Sequence, residues 1–251
     1  MSGQHDIRVY VIERDIYARQ AIVSYLSWDR HTRVLGKAGT PHEMFAQQQA
    51  DPTLGRLDAV ILDASLAQDG PALAGLIRQI AHHIAGAAII CLVHRADGAA
   101  ALAAREAGAR AYLVREQVGV GLASAVRYAL DCPFVVTVET ARLLREARTN
   151  GGAAVDVLPE RRAYPRLTDR IEEALWLCVM EGLPAERAAE EMGVSTSTVR
   201  SYIKEGYRIL EAGDDTAYPP DASPAERAFL RYTALEQPDY AGHRDPVRPA
   251  A

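Results

Sequence analysis

The sequence predicts a two-domain chain in which a doubly wound parallel α/β domain precedes a small all-α domain. The first domain is indicated by apolar runs of strand length that alternate with segments of helical length through the first half of the chain. The second is indicated by a glycine and a Ser/Thr run that separate two helical segments near residue 195. A chain of 251 residues is long enough for two ordinary domains.

Five apolar runs are of the length and composition typical of buried strands: Ile7–Ile12, Arg33–Ala38, Leu57–Leu62, Ala88–Val93 and Arg110–Val114. Five helical segments follow them in turn: one carrying Ala18, Ile22, Tyr25 and Leu26 on its apolar face, and then 41–49, 73–80, 99–107 and 121–130. Because parallel strands need long crossovers, this alternation predicts a five-stranded, doubly wound parallel sheet of the flavodoxin-like kind within residues 1–132.

The remaining chain divides into three further segments. Residues 133–165 are predicted to hold a short connecting helix, Glu139–Glu146, and a flexible linker from Thr149 to Pro165 that contains a Gly-Gly pair. Residues 166–212 form the helical domain. Residues 213–251 form an extension with one amphipathic helix, Ala225–Leu235, and a disordered tail from Gln237 onward. The extra helix either pads the helical domain or extends a dimer interface, and the pattern leaves both open.

The helical domain has the pattern of a helix-turn-helix that reads DNA. Gly193 follows a helical run, where an αL residue is easiest for glycine, and Ser195 can cap the next helix. One face of that helix is apolar, with Val199, Ile203, Tyr207 and Leu210. The opposite face is polar and basic, with Thr196, Ser197, Arg200, Ser201, Lys204 and Arg208. A short helix, a tight turn and a polar-faced second helix are typical of this motif.

Residues Leu167–Leu210 resemble the LuxR-type output domain of NarL/FixJ response regulators, a four-helix domain. The resemblance rests on Leu167-Thr168, Glu181-Gly182-Leu183, Gly193-Val194-Ser195 and Thr198-Val199-Arg200 at the family's intervals. It implies that the chain binds double-stranded DNA as a homodimer, on half-sites about one helical turn apart. It also assigns base reading to Arg200, Ser201 and Lys204, and contacts on or near phosphates to Thr196, Thr198 and Arg208.

The charge of this domain limits how it can bind DNA. Residues 160–208 carry eight Lys and Arg against nine Asp and Glu, and the whole chain has a net charge of −5. A DNA-binding module is normally basic, so either the cations are sorted onto one face or affinity relies on a dimer. The rival interpretation is a regulator that docks on RNA polymerase or another regulator without reading sequence.

Residues 7–130 resemble the receiver domain of response regulators. Asp63 stands at the phosphoacceptor position, Gly70 lies at the usual distance downstream, and 107–113, AGARAYL, matches the run that ends a receiver. The resemblance implies a regulator of a two-component system, in which a receiver uses Mg²⁺ to accept a phosphoryl group on an aspartate.

The pocket departs from the receiver pattern at positions that this chemistry needs. The acidic pair after the first strand is Glu13-Arg14, the switch hydroxyl position is Val93, and the lysine position is Arg115, whose planar fork is not equivalent to an ammonium. One interpretation keeps Asp63 as a phosphoacceptor. Another pairs Arg14 or Arg115 with Asp63 or Glu13, in place of a metal. A third allows a small ligand at the strand ends, for which the sequence shows no motif. The second, an atypical receiver that works without phosphorylation and holds no Mg²⁺ or other cofactor, is favoured.

Other classes of protein are disfavoured by the sequence. No Gly-rich phosphate loop, metal-spaced His/Cys cluster or nucleophile–base set is present, so an enzyme is not expected. Cys91, Cys132 and Cys178 are widely spaced in apolar surroundings, which favours reduced, buried thiols. The sequence also shows neither a signal peptide nor a membrane-length apolar run, so we expect a cytoplasmic protein.

Overall fold

The computed structural model describes residues 6–51, 56–146, 155–213 and 222–236. The chain divides into two compact units, Met1–Leu158 and Pro159–Ala251. None of the described helices is both long and apolar enough to cross a membrane.

The first unit is a parallel α/β domain, which confirms the predicted fold class. Its described strands are β1 Ile7–Ile12, β2 Thr32–Ala38, β3 Ala59–Asp63, β4 Ala88–Val93, β5 Ala111–Val114, β6 Val135–Val136 and β7 Asp156–Val157. Its described helices are α1 Ile16–Ser27, α2 Pro41–Ala50, α3 Gly70–His83, α4 Gly98–Glu106, α5 Arg115–Val118, α6 Leu122–Asp131 and α7 Val138–Glu146. Short 3₁₀ turns lie at Ala64–Leu66 and Gly119–Gly121.

Hydrogen bonding orders the described strands as β2-β1-β3-β4-β5-β6-β7, and every pair is parallel. Strands β3, β4 and β5 are buried along their whole length, as expected for a sheet covered on both faces. Aspartates Asp15, Asp69 and Asp97 cap α1, α3 and α4 by accepting backbone N–H bonds. Local caps therefore start these crossover helices soon after the strands end.

The prediction of five strands was incomplete, because β6 and β7 extend the sheet. Val135 and Val136 are fully buried and pair with β5, and Asp156 and Val157 then pair with β6. Residues 133–146 and 155–158 thus belong to the first unit, whereas the sequence places them in a connection and a flexible linker. The backbone N–H of Leu158 donates to the carbonyl of Val136 within the first unit. Two residues later, the carbonyl of Glu160 accepts from the backbone N–H of Glu236 within the second unit. Residues 149–154 of the predicted linker lie outside the described part of the chain.

The second unit is helical. Its described helices are α8 Asp169–Leu175, α9 Ala185–Met192, α10 Thr196–Ala212 and α11 Pro224–Tyr232, and a π-helical turn, Trp176–Met180, continues α8. The core between α8, α9 and α10 contains Ala174, Leu177, Ala188, Ala189, Met192 and Val199. Gly206 lets α10 approach α8 closely, because a Cβ there would stand 2.9 Å from the Leu175 side chain.

The predicted helix of the C-terminal extension exists, and it packs within this unit. Ser223 and Glu226 form a reciprocal capping box at the start of α11. Phe229 and Tyr232 are buried, the Tyr232 hydroxyl donates to Glu172 at 2.6 Å, and the Arg161 guanidinium lies 4.2 Å from the Tyr232 ring centre. The second unit therefore has four described α-helices, α8 to α11, and the fourth lies beyond the 166–212 bounds predicted for the domain. The predicted disordered tail, 237–251, lies outside the described residues.

Candidate functional site: a carboxylate pocket and a helix-turn-helix face

The first candidate site lies at the carboxyl ends of the central strands. Glu13 follows β1, Asp63 ends β3, and these two strands are neighbours in the sheet. Both carboxyl side chains are buried, with Asp63 and Glu13 each 2% exposed. A buried carboxylate is costly unless charge and hydrogen bonds compensate it, so the partners of these two groups determine what the pocket can do.

Arg115 supplies the compensating charge. It is the first residue of α5, directly after β5, and its Nη2 donates to Asp63 Oδ1 at 3.0 Å and also to Glu13 Oε2. The backbone N–H of Ser65 donates to Asp63 Oδ1 at 3.0 Å, and its hydroxyl donates to Oδ2 at 2.8 Å. The backbone N–H of Asp15 donates to Glu13 Oε1 at 2.9 Å. We call Glu13, Asp63, Ser65 and Arg115 the carboxylate pocket.

Two carboxylates share a single guanidinium in this pocket. Burial raises the pKa of Glu13 above its ordinary value, and the Asp15 N–H and Arg115 oppose that shift. The guanidinium also has a buried donor without a hydrogen bond, since Arg115 Nε has no acceptor among the described residues. The cluster is held together by charge pairing in a poorly hydrated place, which makes it sensitive to the loss of any member.

The other two residues predicted for this pocket do not take part in the ion pairs. Arg14 is exposed and makes no ion pair with a described residue. Of the two arginines that the sequence left as candidates, Arg115 is therefore the one that pairs with the carboxylates. Val93 ends β4 and is 7% exposed, and its side chain has no group that can donate a hydrogen bond.

The pocket residues do not fit a Mg²⁺ site. Mg²⁺ takes oxygen ligands in octahedral geometry, and the second acidic position after β1 is a cation. Arg115 Nη2 binds oxygens of both carboxylates that a metal ion would need. Within the described residues, no group of three or more His, Cys, Asp and Glu side chains is placed to hold a metal ion.

The second candidate site is the pair of helices α9 and α10. Gly193 ends α9 in the left-handed region, with φ 65°, and Ser195 caps α10 through a 3.1 Å bond from the Thr198 N–H. Both features are as the sequence predicts. On the inner face Val199, Ile209 and Leu210 are buried, whereas the predicted core residues Ile203 and Tyr207 are half-buried.

Four predicted DNA-contacting residues lie on the exposed face of α10: Arg200, Ser201, Lys204 and Arg208. Arg200, Lys204 and Arg208 recur every four residues and Ser201 lies three residues before Lys204, which places them on one stripe of the helix. Thr196 and Thr198 are half-buried in the first turn, where the Thr198 hydroxyl bonds the Ser195 hydroxyl at 2.7 Å. The Ser201 hydroxyl donates to the Ser197 carbonyl at 3.0 Å.

Carboxylates neutralise most of the arginines around this stripe, which the residue count alone does not reveal. Arg208 Nε donates to Glu205 at 2.9 Å within α10, and Arg200 Nη2 donates to Glu186 of α9 at 2.7 Å. Lys204 makes no ion pair with a described residue. The Glu205–Arg208 spacing of three is readable in the sequence, but no local pattern reveals that Glu186 meets Arg200.

Comparison with known proteins gives matches in both units. A family model described as Sigma-70, region 4, matches residues 154–210. The DNA-binding transcriptional activator DevR/DosR of Mycobacterium tuberculosis is 27% identical over 197 residues, which are 78% of this chain and 85% of that protein.

Solved structures show weaker likenesses. Salmonella typhimurium RcsB response regulator is 19% identical, covers 84% of this chain and 95% of its own, and has a TM-score of 0.48. A LuxR-family two-component response regulator from Aurantimonas sp. SI85-9A1 is 20% identical, covers 58% of this chain and 99% of its own, and also has a TM-score of 0.48. RcsB has also been solved as two dimers bound to two parallel DNAs.

The 197 residues matched to DevR/DosR are more than either unit contains, so the match includes residues of both units. The chain is thus similar, over 78% of its length, to a DNA-binding transcriptional activator, and it has a parallel α/β unit followed by a helical unit.

Proposed function

We propose that this protein is a sequence-specific, dimeric DNA-binding transcription regulator whose receiver does not use Mg²⁺-dependent aspartyl phosphorylation. The observation that carries the DNA-binding part is the exposed stripe of α10 with Arg200, Ser201 and Lys204. Arg can donate two bonds to guanine, and Lys can reach a base or a phosphate. The similarity to a DNA-binding transcriptional activator supports the same assignment.

The charge balance supports a dimer. Near the stripe, Arg200 and Arg208 are paired with glutamates, so a single copy presents little net positive charge to phosphates. Two copies on two half-sites double the contacts and bring the second copy to the DNA at a high effective concentration. We therefore expect weak binding by one copy and strong binding only on paired half-sites.

DNA binding is tested by selecting duplexes from a randomised library with the full-length protein and measuring affinity by fluorescence anisotropy. We expect a two-fold symmetric site, and we expect the change Arg200→Ala plus Lys204→Ala to abolish the preference for it. Arg187→Ala is the matched control, because Arg187 is an exposed arginine of α9 whose Nη1 donates to Glu190 at 2.7 Å. Affinity should fall steeply with salt for every variant that binds.

Two outcomes contradict this part. A double variant that keeps full affinity and preference would remove Arg200 and Lys204 from the interface. Failure of the wild-type protein to enrich any duplex would favour docking on RNA polymerase or another protein, for which the neutralised arginines are suited.

The observation that carries the receiver part is the position of Arg115 between Glu13 and Asp63. Its guanidinium supplies the positive charge that a metal brings to a receiver, and both Asp63 oxygens already accept hydrogen bonds. An incoming phosphoryl group would have to displace Arg115 and Ser65 from a buried carboxylate. We propose that the ion pairs hold the domain in one conformation without a kinase.

Phosphorylation is tested by incubating the protein with acetyl phosphate and Mg²⁺ and locating any phosphoryl group by mass spectrometry. We expect none on the wild-type protein. The double change Arg14→Asp plus Arg115→Lys restores an acidic pair and an ammonium, and we expect it to gain phosphoryl transfer that Asp63→Asn abolishes. Phosphorylation of wild-type Asp63 would refute the proposal, and DNA binding that rises with it would show that conventional signalling operates.

A further inference from the structure

One ion pair connects the two helices of the helix-turn-helix. Glu186 is the second residue of α9 and Arg200 is the fifth residue of α10, and Arg200 Nη2 donates to Glu186 Oε1 at 2.7 Å. Among the described residues, α9 and α10 make three other ion pairs: Arg187–Glu190 and Glu205–Arg208 each lie within one helix, and Glu211 of α10 pairs with Arg231 of α11. The contact therefore fixes the direction of a predicted base-reading side chain from outside its own helix.

The contact contributes little to the fold. The side chains of Arg200 and Glu186 are 67% and 59% exposed, and exposed ion pairs add little stability because water and salt screen them. Packing of α9 against α10 relies on buried residues instead, among them Ala189, Met192 and Val199. A change of Glu186 can accordingly alter the behaviour of Arg200 without unfolding the domain.

The geometry leaves part of the guanidinium available. Nη2 binds Glu186, and with the other described residues Arg200 makes no further hydrogen bond. A guanidinium is a rigid planar fork, so a carboxylate that holds one edge also sets the direction in which Nε and Nη1 point. Without such a partner, a long exposed arginine samples many rotamers and must lose that freedom on binding.

We propose that Glu186 is a positioning residue that sets base specificity by orienting Arg200 in the major groove. The inference rests on the proposed DNA-binding function and deepens it. The Glu186 carboxylate has a second, separate effect, since its charge repels phosphates and weakens binding to any sequence. Orientation strengthens only the preferred contact and therefore increases the ratio of specific to non-specific affinity, whereas repulsion weakens binding to every duplex and leaves that ratio unchanged.

The test compares Glu186→Ala with Glu186→Gln in the full-length protein. The probes are the duplex that the wild-type protein selects from a randomised library, a scrambled duplex, and duplexes with each base pair substituted in turn. Arg200→Ala first identifies the base pair that Arg200 reads. At that pair we expect Glu186→Ala to reduce discrimination by about fivefold to a hundredfold, as expected for one lost bidentate contact.

Glu186→Gln separates orientation from charge. Glutamine keeps an oxygen that accepts a bond from Arg200 but carries no charge, so we expect it to retain more discrimination than alanine. Both variants should bind the scrambled duplex more tightly than the wild-type protein. Glu190→Gln is the matched control, because it removes the same charge from the same helix and Glu190 pairs with Arg187. It should strengthen scrambled-duplex binding and leave discrimination unchanged.

The possible failures are distinguishable. If the wild-type protein selects no duplex, the proposed DNA-binding function fails. If it selects one and Glu186→Ala discriminates as well as wild type, or if both Glu186 variants bind every duplex more tightly by one common factor, only the positioning role is overturned. Thermal unfolding of the Glu186 variants should match wild type, and a large loss of stability would also contradict an exposed orienting pair.

Discussion

Replacing Arg115 by methionine tests the carboxylate pocket most directly. Methionine keeps the apolar stem and removes the charge, which leaves Glu13 and Asp63 buried with side chains 3% and 2% exposed. Removing one partner of a buried ion pair costs about 3–5 kcal/mol, because the remaining charge is uncompensated. For a domain of this size, such a loss corresponds to a fall of about 6–20 °C in the melting temperature.

The loss should depend on pH. Burial already raises the pKa of Glu13, and removal of Arg115 removes a charge that opposes this shift. A carboxyl whose folded pKa is raised destabilises the fold above that pKa, and the penalty disappears as pH falls through it toward the unfolded value. The difference between wild type and Arg115→Met should therefore be largest near neutral pH and shrink in acid.

Tryptophan fluorescence during urea unfolding measures the effect in the first unit alone. The chain has two tryptophans, Trp28 in the first unit and Trp176 in the second, so Trp176→Phe leaves Trp28 as the reporter. Arg14→Met is the matched control, because Arg14 is the exposed cation beside the pocket, and it should be silent. Adding Asp63→Asn to Arg115→Met should restore part of the stability. Equal unfolding of Arg115→Met and wild type at neutral pH would refute the reasoning.

Three further predictions concern stability. Hydrogen bonding from the Arg8 side chain lowers the pKa of Asp58 below its ordinary value near 3.8. The ionised Asp58 therefore stabilises the fold above that ordinary value, and this stabilisation is lost as the pH falls through the lower pKa of the folded state. Thermal unfolding of Asp58→Asn should show a loss of about 1 kcal/mol at pH 7 that fades in strong acid, as expected for a partly exposed pair. Gly206→Ala should lose about 1 kcal/mol in urea unfolding followed through Trp176, since contact with Leu175 at 2.9 Å outweighs the gain in helix propensity. Phe229→Ala should lower the free energy of unfolding by about 3–5 kcal/mol in the same assay, because Phe229 is only 5% exposed. A loss no larger than that of an exposed-residue control would mean that α11 does not stabilise this unit.

Local patterns in the sequence determined much of this protein. Continuous apolar runs indicate the five longer strands and period-3.6 apolar stripes indicate most helices of the first unit, because the central strands β3, β4 and β5 are buried on both faces and the helices on one. The ends of α9 and α10 follow from Gly193 and Ser195, whose conformational preference and hydroxyl act within one turn. Asp63 was placed at a strand end because the apolar run stops there.

The tertiary structure decided what depends on distant partners. The sequence left both Arg14 and Arg115 as candidates for the cation that pairs with the buried carboxylates. In the structure Arg115 forms these pairs, although it lies 102 residues from Glu13 in the sequence. Strands β6 and β7 have two residues each, too few to show a pattern, and they form by pairing: β6 on the edge of β5, and β7 on the edge of β6. The contact between Glu186 and Arg200 depends on how two helices cross. The apolar pattern of a segment indicates which of its faces is buried. Contacts between residues far apart in the sequence depend on which segments pack together, and only the tertiary structure shows this.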